Sequence, residues 1–157
     1  MLYTDERWMR EALREAKSAY AEGETPVGAV VVHEERIIGR GHNQTERLKD
    51  PTAHAEIIAI TAAASSLNSW RLIDSALYVT VEPCLMCAGA AMLARIPRVV
   101  FGARDPKFGA IRSLFEIGSD ERLNHRFEVF EGLLENEART LMRSFFRKKR
   151  EEKDGSD

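Results

Sequence analysis

The chain has 157 residues, 44% of them hydrophobic, which suits one compact domain with one core. No apolar run approaches the roughly 20 residues that span a bilayer, and the start Met1-Leu2-Tyr3-Thr4-Asp5-Glu6 lacks the basic and apolar stretches of a signal peptide, so no membrane partner is expected. A net charge of −2 excludes nucleic-acid binding through overall charge and leaves it to a local patch, for which Arg147-Lys148-Lys149-Arg150 is the dense basic run.

Thr4 is placed to cap a first helix, with Asp5 and Glu6 in its opening turn. Trp8, Met9, Ala12, Leu13, Ala16 and Tyr20 then recur at helical spacing, and Gly23 ends the run. Residues 27–32 and 36–40 read as a strand pair turning at Glu34-Glu35. The stretch 42–52 holds Asn, Asp and Pro and reads as a loop, followed by a helix over 53–67. A strand over 75–81 leads into Pro83, which favours the first turn of a helix predicted over 84–94. Beyond it come a strand over 98–103, a mixed stretch over 104–124, a short strand over 126–130 and an amphipathic helix over 133–149. Residues 1–150 are expected to form one domain, and 151–157 a polar, frayed tail. The alternation predicts an α/β or α+β class with one sheet covered by helices. The helix between 75–81 and 98–103 makes that pair a parallel crossover.

The chemistry lies in His54-Ala55-Glu56 and Pro83-Cys84-Leu85-Met86-Cys87. One imidazole and two thiols are three ligands for zinc, leaving a fourth tetrahedral position open, as catalytic rather than structural sites do. Cys84 and Cys87 share a helix face and stand near unpaired backbone N–H groups at its start, which favours thiolate. Glu56 is a proton carrier beside the metal. It does not share the face of His54 and reaches the site only if the first helical turn opens onto a cavity. The cysteine pair alone would also suit a redox pair or half of a structural zinc site. The first needs neither His54 nor Glu56, and the second needs another cysteine pair, which the sequence lacks. With both cysteines in the motif, none remains for a structural disulfide, and a reducing, cytoplasmic location is expected. His33, His42 and His125 read as surface or hydrogen-bonded histidines, and Trp8 and Trp70 as core or interface residues.

The H-x-E and P-C-x-x-C pattern is the signature of zinc-dependent nucleobase deaminases, whose general form is well established. Beyond it, Pro26-Val27-Gly28-Ala29-Val30, Gly41-His42-Asn43, Asp50-Pro51-Thr52-Ala53, Phe101-Gly102-Ala103-Arg104-Asp105-Pro106-Lys107, Asn124-His125-Arg126 and Phe145-Phe146-Arg147 resemble segments of the bacterial tRNA-specific adenosine deaminases, within the cytidine deaminase superfamily. The resemblance implies an α/β, three-layer cytidine-deaminase-like fold, with a central five-stranded mixed sheet flanked by helices, and a homodimer. It implies one Zn2+ per chain on His54, Cys84 and Cys87, with Glu56 as proton shuttle. Asn43 would hydrogen-bond the purine, the Ala55 N–H would contact the new oxygen, and Asp105, Lys107, Phe146 and Arg150 would lie near a tRNA anticodon stem-loop. The implied reaction is hydrolysis of adenosine to inosine at the wobble position, with the target base splayed from a single-stranded loop. A rival is a small-molecule deaminase acting on guanine, cytosine or a free nucleoside, which has the same zinc site but no use for phosphate contacts. Another is a non-catalytic RNA-binding subunit, which has no need of Glu56. One departure is Arg112, where the family often has a small residue; a long cation there adds a phosphate contact or a surface salt bridge.

Overall fold

Short apolar stretches pair into one five-stranded mixed sheet in the computed structural model, which describes residues 2–155. In chain order the elements are α1 (Leu2–Ala21), β1 (Gly28–His33), β2 (Arg36–His42), α2 (Thr45–Leu48), α3 (Ala55–Leu67), β3 (Ser75–Val81), α4 (Leu85–Leu93), β4 (Arg98–Ala103), β5 (Glu128–Glu131) and α5 (Glu135–Asp154). The sheet order is β2-β1-β3-β4-β5. β1 runs antiparallel to β2 and β3, while β3, β4 and β5 are parallel. The β3–α4–β4 crossover is therefore the parallel one that the helix between those strands requires.

Alternation along the strands sends side chains to two cores. Val31, Leu77, Val79, Val99 and Phe101 pack with Ala59, Ala63, Ala88 and Ala91 of α3 and α4. Val30, Val32, Tyr78 and Val100 pack with Trp8, Met9 and Ala12 of α1. Ala138 of α5 joins Leu13 and Ala103 on that second side. Helices thus cover both faces and give three layers. The seating of α3 needs glycine in β2. A Cβ on Gly41 would stand 2.3 Å from the Ala55 carbonyl oxygen, and one on Gly39 2.2 Å from that of Ala59. Glycine here lets the helix that follows His54 lie directly on the sheet.

Several boundaries differ from expectation. Thr4 lies inside α1 rather than at its cap, and Asp5 spends its carboxylate on Arg98 and Tyr78 instead of the helix end. The stretch 42–52 contains the single-turn helix α2. α3 and α4 begin one residue after the zinc-motif residues His54 and Cys84, because both take extended backbone angles as N-caps. Residues 151–154, expected to fray, continue α5 as exposed helix, since nothing in that stretch breaks a helix. Trp8 is buried, whereas Trp70 is 62% exposed beneath the Arg71 guanidinium.

Candidate active site

β3 ends at Val81, and Glu82-Pro83 carries the chain to Cys84, which caps α4. On the neighbouring helix, His54 caps α3 in the same way. The two helix starts meet beyond the end of β3, so three donor atoms converge from separate segments. His54 Nδ1 stands 3.5 Å from Cys84 Sγ and 3.6 Å from Cys87 Sγ. All three donors lie within 4.8 Å of one another. Zn–S and Zn–N bonds of about 2.3 and 2.0–2.1 Å at a tetrahedral angle place sulfur and nitrogen about 3.5 Å apart, so the spacing fits zinc. Softness agrees, since two thiolates and an imidazole are a zinc donor set. Cys84 is held near 4 chiefly by the hydrogen bond from the Cys87 thiol, with His54 assisting. Contact with Cys84 in turn raises the His54 imidazole.

Glu56 is buried on the first turn of α3. Among the described residues, its Oε1 is the buried side-chain polar atom without a hydrogen-bond partner. Burial pushes its carboxyl up to about 7, against the pull of its own N–H and of His54. A buried carboxylate oxygen with no protein partner costs free energy unless something in the cavity uses it. The cavity it lines, of about 360 Å³, also has walls from His54, Ala55, Cys84, Asn43 and Thr45. Asn43 is buried, and its amide donates to Thr45 Oγ1 at 3.3 Å.

Beside this cavity lies a larger groove of about 1080 Å³ along α5. Lys107, Phe146 and Arg150 line it, together with Arg104, Arg139, Arg143, Arg147 and Lys149. Asp105, Phe108, Thr25, Val81 and Met142 border both spaces. The residues expected at the site thus fall into two adjoining spaces, Asn43 and Ala55 in the first, Lys107, Phe146 and Arg150 in the second, and Asp105 between them. Lys148 points elsewhere, over the Tyr20 ring at 5.8 Å. Arg112 forms a salt bridge to Glu131 at 3.2 Å, and Arg104 holds the other oxygen of that carboxylate at 2.8 Å.

Two buried carboxylates brace segments that border the cavity, and neither role was legible in the sequence. Glu82 accepts the N–H groups of Asp105, Ile111, Arg112 and Ser113 and the Ser113 hydroxyl. Burial raises its carboxyl, but these donors, Ser113 Oγ foremost, outweigh that and hold it below the ordinary carboxylate range. Glu24 accepts the N–H groups of Glu46 and Arg47 at 2.9 and 3.1 Å and so caps α2. Adjacency to Pro83 was the one local hint for Glu82; Glu24 had none.

The sequence profile of the cytidine and deoxycytidylate deaminase zinc-binding region matches residues 2–103. The chain is 49% identical over 146 residues to a tRNA-specific adenosine deaminase of Streptococcus pyogenes serotype M1, covering 93% of this chain and 85% of that one. It is similar to a structure solved in studies of A-to-I editing by tRNA:A34 deaminases at the wobble position of transfer RNA, with TM-score 0.83, 45% identity, and coverage of 86% and 98%. A guanine deaminase of Nitrosomonas europaea superposes with TM-score 0.77 at 26% identity, covering 89% and 83% of the two chains.

Proposed function

The chain belongs to the family of deaminases that share the cytidine and deoxycytidylate deaminase zinc-binding region, and we propose that it hydrolyses adenosine to inosine at the wobble position of a tRNA anticodon. The observation that carries this reading is the shared wall between a cavity sized for a base and a basic groove. A free base needs only the first. A nucleotide held in RNA needs both, because its neighbours and their phosphates must lie somewhere.

His54 Nδ1 and the Cys84 and Cys87 thiolates would hold one Zn2+, which would supply the Lewis acidity that lowers the pKa of water at the site. Glu56 accepts the proton of the attacking water and passes it to N1 of the purine. A second transfer through the same carboxylate ends on the departing amine. The C6–O bond forms, the C6–N bond breaks, and ammonia leaves. Asn43, fixed by Thr45, orients the purine edge, and the Ala55 N–H stabilises the new oxygen. Burial of Glu56 excludes bulk water from the proton path. Asp105 holds its loop by accepting the N–H of Lys107 and Phe108, while Lys107, Phe146 and Arg150 receive the anticodon loop.

We further propose that residues 1–150 act as one deaminase domain and that two copies associate. Leu85 and Leu93 of α4 are 51% and 63% exposed, an apolar pair that a partner subunit would cover. No helix among the described residues is long and apolar enough to cross a membrane. A tRNA substrate and two free thiols suit the cytoplasm. Turnover of zinc-loaded protein on an anticodon stem-loop and on free guanine tests the substrate assignment. Inosine formation in the stem-loop is the expected result. Faster ammonia release from guanine would sink it in favour of a small-molecule deaminase.

A further inference from the structure

Among the described residues Phe108 is the most exposed large hydrophobic side chain, at 67%. It stands where the metal-ligand cavity and the basic groove meet and lines both. Its backbone is fixed on both sides. Asp105 Oδ1 accepts the Phe108 N–H at 3.3 Å, and the Gly109 N–H donates to the Asp105 carbonyl at 2.8 Å. Gly109 in turn is packed so closely on the buried Glu82 carboxyl that a Cβ there would lie 2.3 Å from its carbon. The loop therefore presents an aromatic ring to solvent on an anchored backbone, at the passage between two spaces.

Resting on the tRNA deaminase reading, we propose that Phe108 is a stacking platform for a nucleotide adjacent to the target adenosine. When the target base enters the cavity, its neighbour is pulled from the loop stack and presents a flat apolar face at the rim. An exposed ring there covers that face without regard to base identity. Lys107 and Arg143 line the groove beside it and supply the cations for the connecting phosphates. An anchored ring also loses less freedom on binding than a mobile one. Phe108 is thereby a residue that favours adenosine in RNA over the free nucleoside.

The test uses zinc-loaded parent, Phe108→Ala and Phe108→Trp, with stem-loops carrying 2-aminopurine on the 5′ and then on the 3′ side of the target. Loss of the ring should raise KM for the stem-loop about fivefold or more, with kcat changed less than about twofold. The loss should be smaller for free adenosine, which has no neighbour to stack, than for the stem-loop. At one of the two probe positions, emission from the complex with Phe108→Ala should exceed that with the parent. Phe108→Trp should restore both KM and quenching. Unchanged KM, or unchanged emission at both positions, overturns the proposal. So does a change in oligomeric state on losing the ring, which would assign Phe108 to a subunit contact. Failure of the parent to deaminate any stem-loop would overturn the tRNA reading itself, an outcome distinct from a parent that works and a variant that matches it.

Discussion

Glu56 and Glu82 are both buried carboxylates, yet their partners make them opposite in chemistry. Glu56 keeps one oxygen without a partner, and burial pushes its carboxyl up to about 7. Glu82 has its oxygens filled by donors from the 105–113 loop and lies below the usual range despite burial. The first arrangement suits a group that exchanges a proton, the second one that stays charged and holds its loop. Glu56→Ala should therefore keep zinc and fold and lose activity by at least 10²- to about 10⁴-fold. Elemental analysis and single-turnover inosine formation are the measurements, and activity within about tenfold of the parent would assign proton transfer to another group. Glu82→Ala should act on structure instead. It leaves backbone N–H groups of the loop without an acceptor, which costs about 1–3 kcal/mol in unfolding free energy. Urea denaturation reads that loss, and an unchanged midpoint would mean that water replaces the carboxylate without penalty.

The elements meet through side chains whose partners are distant in sequence. Asp5 of α1 accepts two hydrogen bonds from Arg98 of β4 at 2.8 and 2.6 Å and one from Tyr78 of β3 at 2.6 Å. Arg98 is the leading cause of a lowered Asp5 pKa, opposed by burial and assisted by Tyr78. A folded-state pKa below the unfolded value of 3.8 means stability that is present above that value. It is lost as pH falls through the folded-state pKa. Asp5→Asn should thus be less stable than the parent at neutral pH, and the gap should begin to narrow below about pH 4 and close as pH falls through the folded-state pKa. Urea midpoints from pH 7 to pH 2 give the comparison, and a gap independent of pH would deny the ion pair that role. Such long-range pairs also mark the limit of what the chain discloses in advance. Strands β1, β3 and β4 were legible because runs such as Val30-Val31-Val32 and Val99-Val100-Phe101 have no other good use than a buried sheet. The metal centre was legible because its ligand types and spacing are a local pattern. α2 was not, since one helical turn has no periodicity, and its cap is a carboxylate from Glu24, 22 residues before Glu46. Nor was the role of Glu82, whose partners become neighbours only after the 105–113 loop folds back.

A net charge of −2 conceals an uneven distribution, for the groove along α5 collects cations while Glu34, Glu35, Asp74, Glu121 and Glu128 outnumber Arg98 and Arg126 along another cleft. Of the dense basic run, Arg147, Lys149 and Arg150 line the groove and Lys148 stands over Tyr20. Helical geometry thus divides a contiguous run into three members that line the groove and one that packs over Tyr20, a division that supplies an internal control. Replacing Arg147, Lys149 and Arg150 together with alanine should weaken tRNA binding and flatten its salt dependence. Each phosphate that the variant no longer neutralises should reduce the slope of log affinity against log salt by about 0.7 to 0.9. The weakening should be similar for different anticodon sequences, because phosphates carry no base identity. Lys148→Ala should leave the slope near that of the parent, and zinc content should be unchanged in both variants. Binding measured at several salt concentrations separates the outcomes. Equal slopes for the parent and the triple variant would reduce the run to a solvated helix end. An equal effect of Lys148→Ala would show that bulk charge, and not the groove, attracts the RNA.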